Sequence, residues 1–310
     1  MGRTVRVATG MEIAYERTGD PQAPSLLMVH GFGVQLTGWN PDLLRMLCDG
    51  GVQLIVFDNR DVGLSTQLSE VGPIDPIAVL TGQVAAPYLL ADMAADTAGL
   101  IEALELDSTH VLGVSLGGMI AQQLAIDHPE RVRSLISMMS TPHMSLSPAT
   151  PEAAAAMLQP PAATREAALD RSAAIATVTG SKEYERDEAW IRTASALAWD
   201  RNNDATGVTR QFAAITLSPD RRAGLAGLQI PSLVVHGEVD PLIGVAGGRA
   251  TAEAIPGAEL LVIPGMGHDL PRAVWREVVD AVLALVHRAE RARWIPKTHE
   301  HARWGRLEPE

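Results

Sequence analysis

Thiol chemistry is nearly absent from this 310-residue chain, whose one cysteine is Cys48. No internal disulfide can form, and a reducing compartment, the cytoplasm, is the expected location. Cys48 lies among Leu43, Leu44, Met46 and Leu47, a setting that reads as helix packing. Basic runs are also missing outside a short C-terminal stretch, and the net charge is -12. That balance argues against nucleic acid as a partner. No stretch reaches the length of a membrane span without a charge. The first residues, Met1-Gly2-Arg3-Thr4-Val5-Arg6, lack the apolar run of a signal peptide, and Arg6 stands where myristoylation wants Ser or Thr. There is no internal repeat. What remains is a chain long enough for one large α/β domain with a full core.

Against that background one pentapeptide stands out. Gly113-Val114-Ser115-Leu116-Gly117 matches G-x-S-x-G, a turn that lifts a serine between a buried strand and the following helix. His110-Val111-Leu112 ahead of it suits a central strand. Met119, Ile120, Gln123 and Leu124 behind it fall at helical spacing. The serine needs a strained backbone to raise its Oγ above the sheet edge, and a Cβ on its neighbours would collide there. Gly113, Gly117 and Gly118 remove those atoms. A serine hydroxyl is a poor nucleophile by itself, so the turn predicts a histidine and a carboxylate elsewhere.

Short apolar segments alternate with helical patterns, which predicts a mostly parallel sheet covered on both faces. Strands are expected at 5–7 and 11–15 as a hairpin, then at 25–30, 52–58, around Val111, and at 134–139, 232–236 and 260–263. Helices are expected at 39–48, 91–105, 116–127, 246–254 and 271–289. From 141 to 228 the rhythm changes to helical segments at 151–158, 164–177, 184–199 and 205–217, punctuated by prolines. The reading is a core of 1–140 and 229–290, a helical cap of 141–228 inserted after the sixth strand, and a polar tail of 291–310. His299 and His301 fall in that tail and are read as part of a frayed end. The stretch 67–90, with Pro73, Pro76 and Pro87, is long for a loop, and such loops tend to be functional or mobile.

The acid and the base follow in chain order. Val234-Val235-His236-Gly237-Glu238-Val239-Asp240-Pro241 ends a late strand and offers Asp240, with Glu238 as its competitor nearer the strand. Pro264-Gly265-Met266-Gly267-His268-Asp269-Leu270-Pro271 places His268 in a Gly-rich loop before a Pro-initiated helix. His268 would take the Ser115 proton and return it to the leaving group, while Asp240 holds the tautomer. His30-Gly31-Phe32-Gly33 matches an H-G-x-G loop. The backbone N–H groups of Phe32 and Leu116 are then the candidate oxyanion donors.

With these residues assembled, the chain resembles the α/β-hydrolase superfamily over nearly its whole length. Asp58-Asn59-Arg60-Asp61-Val62-Gly63-Leu64-Ser65 is similar to that superfamily's D-x-R-x-x-G-x-S segment. There the resemblance implies a structural role, with Asp58 and Arg60 as a loop-fixing pair. More narrowly, Gly31-Phe32-Gly33, the Asp58 segment and Ile263-Pro264-Gly265-Met266-Gly267-His268 look like bacterial esterases of the aclacinomycin methylesterase group and mycobacterial lipase-type esterases. Ser115 stands where haloalkane dehalogenases and epoxide hydrolases of this fold carry an aspartate, which sets those relatives aside. Cofactor-free haloperoxidases and carbon–carbon bond hydrolases keep serine and stay open, as does a ligand receptor on the same fold.

The expected activity is hydrolysis of a small-molecule carboxylic ester or thioester with an apolar moiety, with no cofactor and no metal. Candidates for the pocket wall are Trp39, Met138, Met139, His143 and Met266 near the strand ends. Phe32, Met144 and Leu242 join them there, and Trp190, Trp199 and Phe212 could descend from the cap.

Overall fold

The computed structural model of the protein describes residues 3–294. Eight strands form one sheet: β1 (Arg3–Arg6), β2 (Glu12–Thr18), β3 (Ser25–Val29), β4 (Gln53–Phe57), β5 (Thr109–Val114), β6 (Val132–Met138), β7 (Ser232–Gly237) and β8 (Glu259–Ile263). Their spatial order is β1-β2-β4-β3-β5-β6-β7-β8. β1 and β2 pair antiparallel, as does β2 with β4, and every later pairing is parallel. The inner strands β3 and β4 are buried at every residue. That explains their unbroken apolar runs, since a parallel strand is covered on both faces.

The helices are α1 (Pro41–Asp49), α2 (Pro76–Leu80), α3 (Leu90–Ala103), α4 (Leu116–Asp127), α5 (Pro151–Met157), α6 (Arg165–Thr179), α7 (Glu188–Arg201), α8 (Thr206–Leu217), α9 (Arg222–Leu225), α10 (Val245–Ala254) and α11 (Trp275–Trp294). One hydrophobic cluster packs α3 and α4 against the sheet, with Leu100, Ile101, Met119, Ile120 and Leu124 all at most 2 % exposed. The opposite cluster packs α1 and α11, through Leu43, Leu47, Val278, Val282 and Val286. The chain between β6 and β7 contains helices and turns alone. Its helices start where local chemistry supplies a cap. The side chains of Thr150, Thr164 and Asp187 accept from the N–H groups of Ala153, Ala167 and Trp190.

Three sequence expectations shift. The long helix begins at Trp275, because Arg272–Val274 forms a 3-10 turn, and it runs to Trp294. The polar tail expected from 291 therefore starts inside that helix, and the part of it from 295 on, His299 and His301 included, lies outside the described residues. The segment 67–90 is not a bare loop. It carries α2, started by the Asp75 side chain accepting from Ile77 N–H, and is tied to α8 by Ile74 N–H donating to Thr209 Oγ1 at 2.9 Å.

The register aligns the strand ends that matter. Val29 pairs with Gly113, Val114 with Met138, Met138 with Val235, and Gly237 with Ile263. The loops that follow β3, β5, β7 and β8 therefore leave from one edge. β3 and β5 are neighbours, although β4 lies between them in sequence. At such a switch point the connections on either side diverge and leave a crevice.

Candidate active site

Ser115 occupies that crevice. Its backbone is at φ 58°, ψ -120°, a conformation an L-residue adopts only when its surroundings hold it. The holding is visible. Ser115 N–H donates to Met138 O, and Ser140 Oγ donates to Ser115 O, both at 2.9 Å. A Cβ on Gly113 would stand 2.0 Å from Gly117 O, and one on Gly117 would stand 2.1 Å from Val29 O. The two glycines of the pentapeptide thus permit helix α4 and strand β3 to close on the turn.

His268 reaches the serine from the loop after β8, with Nε2 3.0 Å from Ser115 Oγ. Its Nδ1 lies 2.7 Å from Asp240 Oδ2. An ionised carboxylate only accepts, so Nδ1 carries the proton and Nε2 is free to accept from the serine hydroxyl. Asp240 is in turn fixed by the N–H groups of Leu242 and Ile243, each donating to Oδ1 at 2.9 Å. The carboxylate is fully buried and the imidazole 11 % exposed. Glu238, the competing acid, is exposed. The chain thus brings Ser115, His268 and Asp240 into one hydrogen-bonded line, with the tautomer set by the buried acid.

A second imidazole stands behind the acid. His236 Nε2 donates to Ile243 O at 2.7 Å and lies 3.6 Å from Asp240 Oδ2. Burial pushes its pKa below the usual histidine value, opposed by the Ile243 carbonyl and by Asp240. Burial thus favours the neutral ring beside the acid loop.

The early loop brings the other electrophilic groups. Leu116 is the first residue of α4, so its N–H precedes the helical ladder and is available to a ligand. Phe32 lies within a turn closed by Val34 N–H donating to Gly31 O at 3.2 Å. A Cβ on Gly31 would meet Ser115 Cβ at 3.3 Å, so this loop runs directly beside the serine. Gly31 N–H donates to His30 Nδ1 at 2.8 Å, and the His30 ring lies 4.4 Å from that of Trp39. Burial lowers the His30 pKa from 6.5 to about 4, which keeps Nδ1 an acceptor. The far side of the loop is pinned by α8, where the Gln211 side chain accepts from Gly33 N–H.

The D-x-R segment is structural, but its two members do not pair with each other. Asp58 and Arg60 bond to separate partners. Asp58 accepts from the N–H groups of Leu36 and Leu64 and from Arg201 on α7. Arg60 makes a bidentate pair with Asp96 on α3, at 2.6 and 2.7 Å. Asp61 and Arg210 of α8, both wholly buried, form another pair at 2.7 and 2.9 Å. The segment is a hub between sheet, α3 and the helices after β6.

Most pocket candidates are buried or partly buried in the hydrophobic clusters. Trp39, Met138, Met139 and Met266 are core residues of the α1–α11 cluster, none more than 7 % exposed. Sequence spacing does not record that burial. Phe32, Met144 and Leu242 pack partly buried on the opposite cluster. His143 caps a short turn, its ring Nδ1 2.7 Å from Ser145 Oγ. Trp190 and Phe212 are half-buried on α7 and α8. Trp199 does line a cavity of about 160 Å³, together with Gly33, Arg171, Ser195 and Val208. Sequence reasoning missed Gln211, Arg201, Arg210 and His236, since polar residues inside helices or at strand ends carry no motif. Asp269 differs in one respect, because it directly follows His268.

Comparison with known proteins shows the fold family. The sequence profile of the alpha/beta hydrolase fold matches residues 24–271. Rhodomycin D methylesterase of Streptomyces peucetius is 28% identical over 304 residues, covering 90% of this chain and 97% of its own. Pimeloyl-acyl-carrier-protein methyl ester esterase of Aeromonas hydrophila is 27% identical, covering 83% of this chain and 92% of its own. Among solved structures, the enol-lactonase of Burkholderia xenovorans superposes with a TM-score of 0.67 at 21% identity, covering 93% of this chain and 100% of that one.

Proposed function

This chain belongs to the α/β-hydrolase fold family, and from that premise we propose that it is a carboxylic ester hydrolase working through an acyl-serine intermediate. The observation that carries the reading is the line Ser115 Oγ, His268 Nε2, His268 Nδ1, Asp240 Oδ2, with contacts of 3.0 and 2.7 Å. In it, His268 takes the hydroxyl proton as Ser115 Oγ attacks the ester carbonyl. The carbonyl oxygen gains negative charge and is met by the N–H groups of Phe32 and Leu116. The tetrahedral intermediate collapses, and the alkoxide leaves with the proton carried by the imidazolium. Water then attacks the acyl-serine, again losing its proton to His268. Ser115 departs reprotonated and the carboxylic acid is released.

Two relatives named as methyl ester esterases, each aligned over most of both chains, support a small alcohol as the leaving group. The apolar acyl part would then sit between the sheet and the helices after β6, which we read as the cap. A thioester is the variant of the same chemistry, since a thiolate leaves by the same path. The cytoplasmic reading rests on the single cysteine. Among the described residues no helix is long and apolar enough to cross a membrane.

The test is a chain-length series of p-nitrophenyl and methyl esters, with matched thioesters, run on the wild type and on Ser115→Ala. The wild type should turn over and be labelled by a fluorophosphonate probe, and the variant should do neither. Turnover retained in a clean Ser115→Ala preparation would sink the mechanism. Faster cleavage of a vinylogous diketone than of any ester would move the enzyme to carbon–carbon bond hydrolysis.

A further inference from the structure

His268 owes its place to a part of the chain far from it in sequence. The loop after β8 gives its early backbone groups to the sheet side. Glu238 N–H donates to Ile263 O at 3.0 Å, and Val239 N–H to Met266 O at 3.1 Å. At Gly267 and His268 the partners change. His268 N–H donates to Thr179 O at 2.8 Å, and Gly267 N–H donates to Ser181 Oγ at 2.9 Å. Both acceptors lie at the end of α6 or just after it, in the helical segment between β6 and β7.

The same contact is closed from the other side. Asp269 Oδ1 accepts from Ser181 N–H at 2.8 Å and from Ser181 Oγ at 2.5 Å. The Ser181 hydroxyl therefore both receives a proton bond from the residue before His268 and gives one to the residue after it. Tyr184 OH donates to Pro264 O at 2.8 Å at the start of the loop. The two backbones touch. A Cβ on Gly267 would stand 2.7 Å from Thr179 O and from the carbonyl carbon of Gly180, so only glycine permits the approach. Thr179 and Ser181 are each 5 % exposed.

We propose that Ser181 and Asp269 are positioning residues that clamp the loop on both sides of His268, so that the helical segment sets where the imidazole meets Ser115. This rests on the ester-hydrolase reading for its kinetic consequence. The physical reason is that residues 264–270 form an irregular connection, and bonds to the Thr179 carbonyl and the Ser181 hydroxyl fix its two central N–H groups. A displacement of about 1 Å in a reacting group can lower a rate by about 100-fold. Ser181 and Asp269 need not touch substrate to have this effect.

The experiment compares Ser181→Ala and Asp269→Ala with the conservative Ser181→Thr and Asp269→Asn. The expected result is a fall in kcat of up to about 100-fold for the two alanine variants, with KM changed less than about threefold. The conservative pair, which keeps a hydroxyl at 181 and an oxygen at 269 able to accept from Ser181, should recover most of the rate. In parallel, imidazole nitrogen NMR should find one tautomer at His268 in the wild type and a mixed, broadened signal in the alanine variants. Unchanged kcat and imidazole signals in folded Ser181→Ala would overturn the clamp, as would a loss of melting temperature with kcat intact. Should Ser181→Ala not fold, Asp269→Ala at the edge of the loop decides by the same two readouts. If the wild type cleaves no ester, the ester-hydrolase reading fails on its own. The NMR arm then still judges the clamp.

Discussion

Gln211 on α8 bridges two loops of the crevice: its Oε1 accepts from Gly33 N–H at 3.0 Å and its Nε2 donates to Arg60 O at 2.8 Å. The side chain is wholly buried, so both bonds form without competing water. Gly33 adjoins Phe32, one of the two candidate oxyanion donors. Replacing Gln211 by Ala leaves both backbone groups unpaired and frees the turn that aims Phe32 N–H. Direct loss of an oxyanion donor costs about 100- to 1,000-fold, and acting through the loop should cost less. A fall in kcat of about 10-fold is expected on short esters, with a smaller change in KM. Steady-state kinetics checks it, and a change confined to KM would place Gln211 in substrate binding.

Asp240 offers a sharper test of tautomer control. Asp240→Asn keeps the shape and an oxygen that can accept from Leu242 and Ile243. The amide nitrogen can face His268 Nδ1 as a donor, which stabilises the tautomer with its proton on Nε2. That proton points at Ser115 and removes the base. In a catalytic triad the same change costs about 10⁴-fold in kcat, and a loss of that order is expected here. A loss below about tenfold would transfer the acid's role to another group.

Arg210 and Asp61 predict stability rather than rate. Both are wholly buried, and the Tyr88 hydroxyl donates to the same carboxylate at 2.7 Å. Burial, followed by the negative charge of Asp61, pushes the Tyr88 pKa up, so the phenol remains a donor. Arg210→Ala strands the carboxylate, and breaking a buried pair from one side costs about 3–5 kcal/mol. Denaturant unfolding measures this. A value under about 1 kcal/mol would mean that water reaches Asp61.

His30 predicts a pH dependence. Its native pKa is lowered to about 4, chiefly by burial, while an unfolded histidine titrates near 6.5. Between those values the unfolded chain binds the proton and the native state does not. Stability must therefore fall as pH drops from about 6.5 to about 4, then level off below both values. The shift corresponds to roughly 3 kcal/mol at most. Carboxylates add their own acid sensitivity, so the comparison is between wild type and His30→Gln. The wild type should lose about 2–3 kcal/mol more between pH 7 and pH 4.5. Equal losses would show that His30 is protonated in the native state.

Gly117 predicts a failure to fold. Its missing Cβ would lie 2.1 Å from Val29 O, a backbone atom of a buried central strand. Neither side can yield without opening the sheet. Gly117→Ala should destabilise by more than about 3 kcal/mol or abolish soluble expression, as overpacking beside a rigid backbone does. A stable, active Gly117→Ala protein would contradict the close contact of α4 with β3.

Elements with a strong local signal were mostly legible in the sequence, although α2 was not, despite its Asp75 cap before Pro76. The β3 run is apolar from Leu26 to Val29 because both its faces are buried. The α6 and α7 starts carry Thr164 and Asp187 as caps. The residues of the hydrogen-bonded line were also legible, because Ser115, Asp240 and His268 each follow a strand, in a fixed chain order, with glycines or a proline beside them. The burial of the pocket candidates was not. Trp39, Met138, Met139 and Met266 have the composition of a pocket and the burial of a core. Whether a side chain at a strand end faces ligand or packing depends on the rotation of its Cα, which spacing does not record.

The sequence alone determined which groups could do the chemistry, since residue type, strand-end position and glycine steric relief are properties of short segments. Only the tertiary structure decided what holds those groups in place. Ser181 with Asp269, Gln211 with Gly33, and Arg210 with Asp61 join residues 88, 178 and 149 positions apart. No local pattern links such pairs, because the chain between them must fold before either partner has anything to bond.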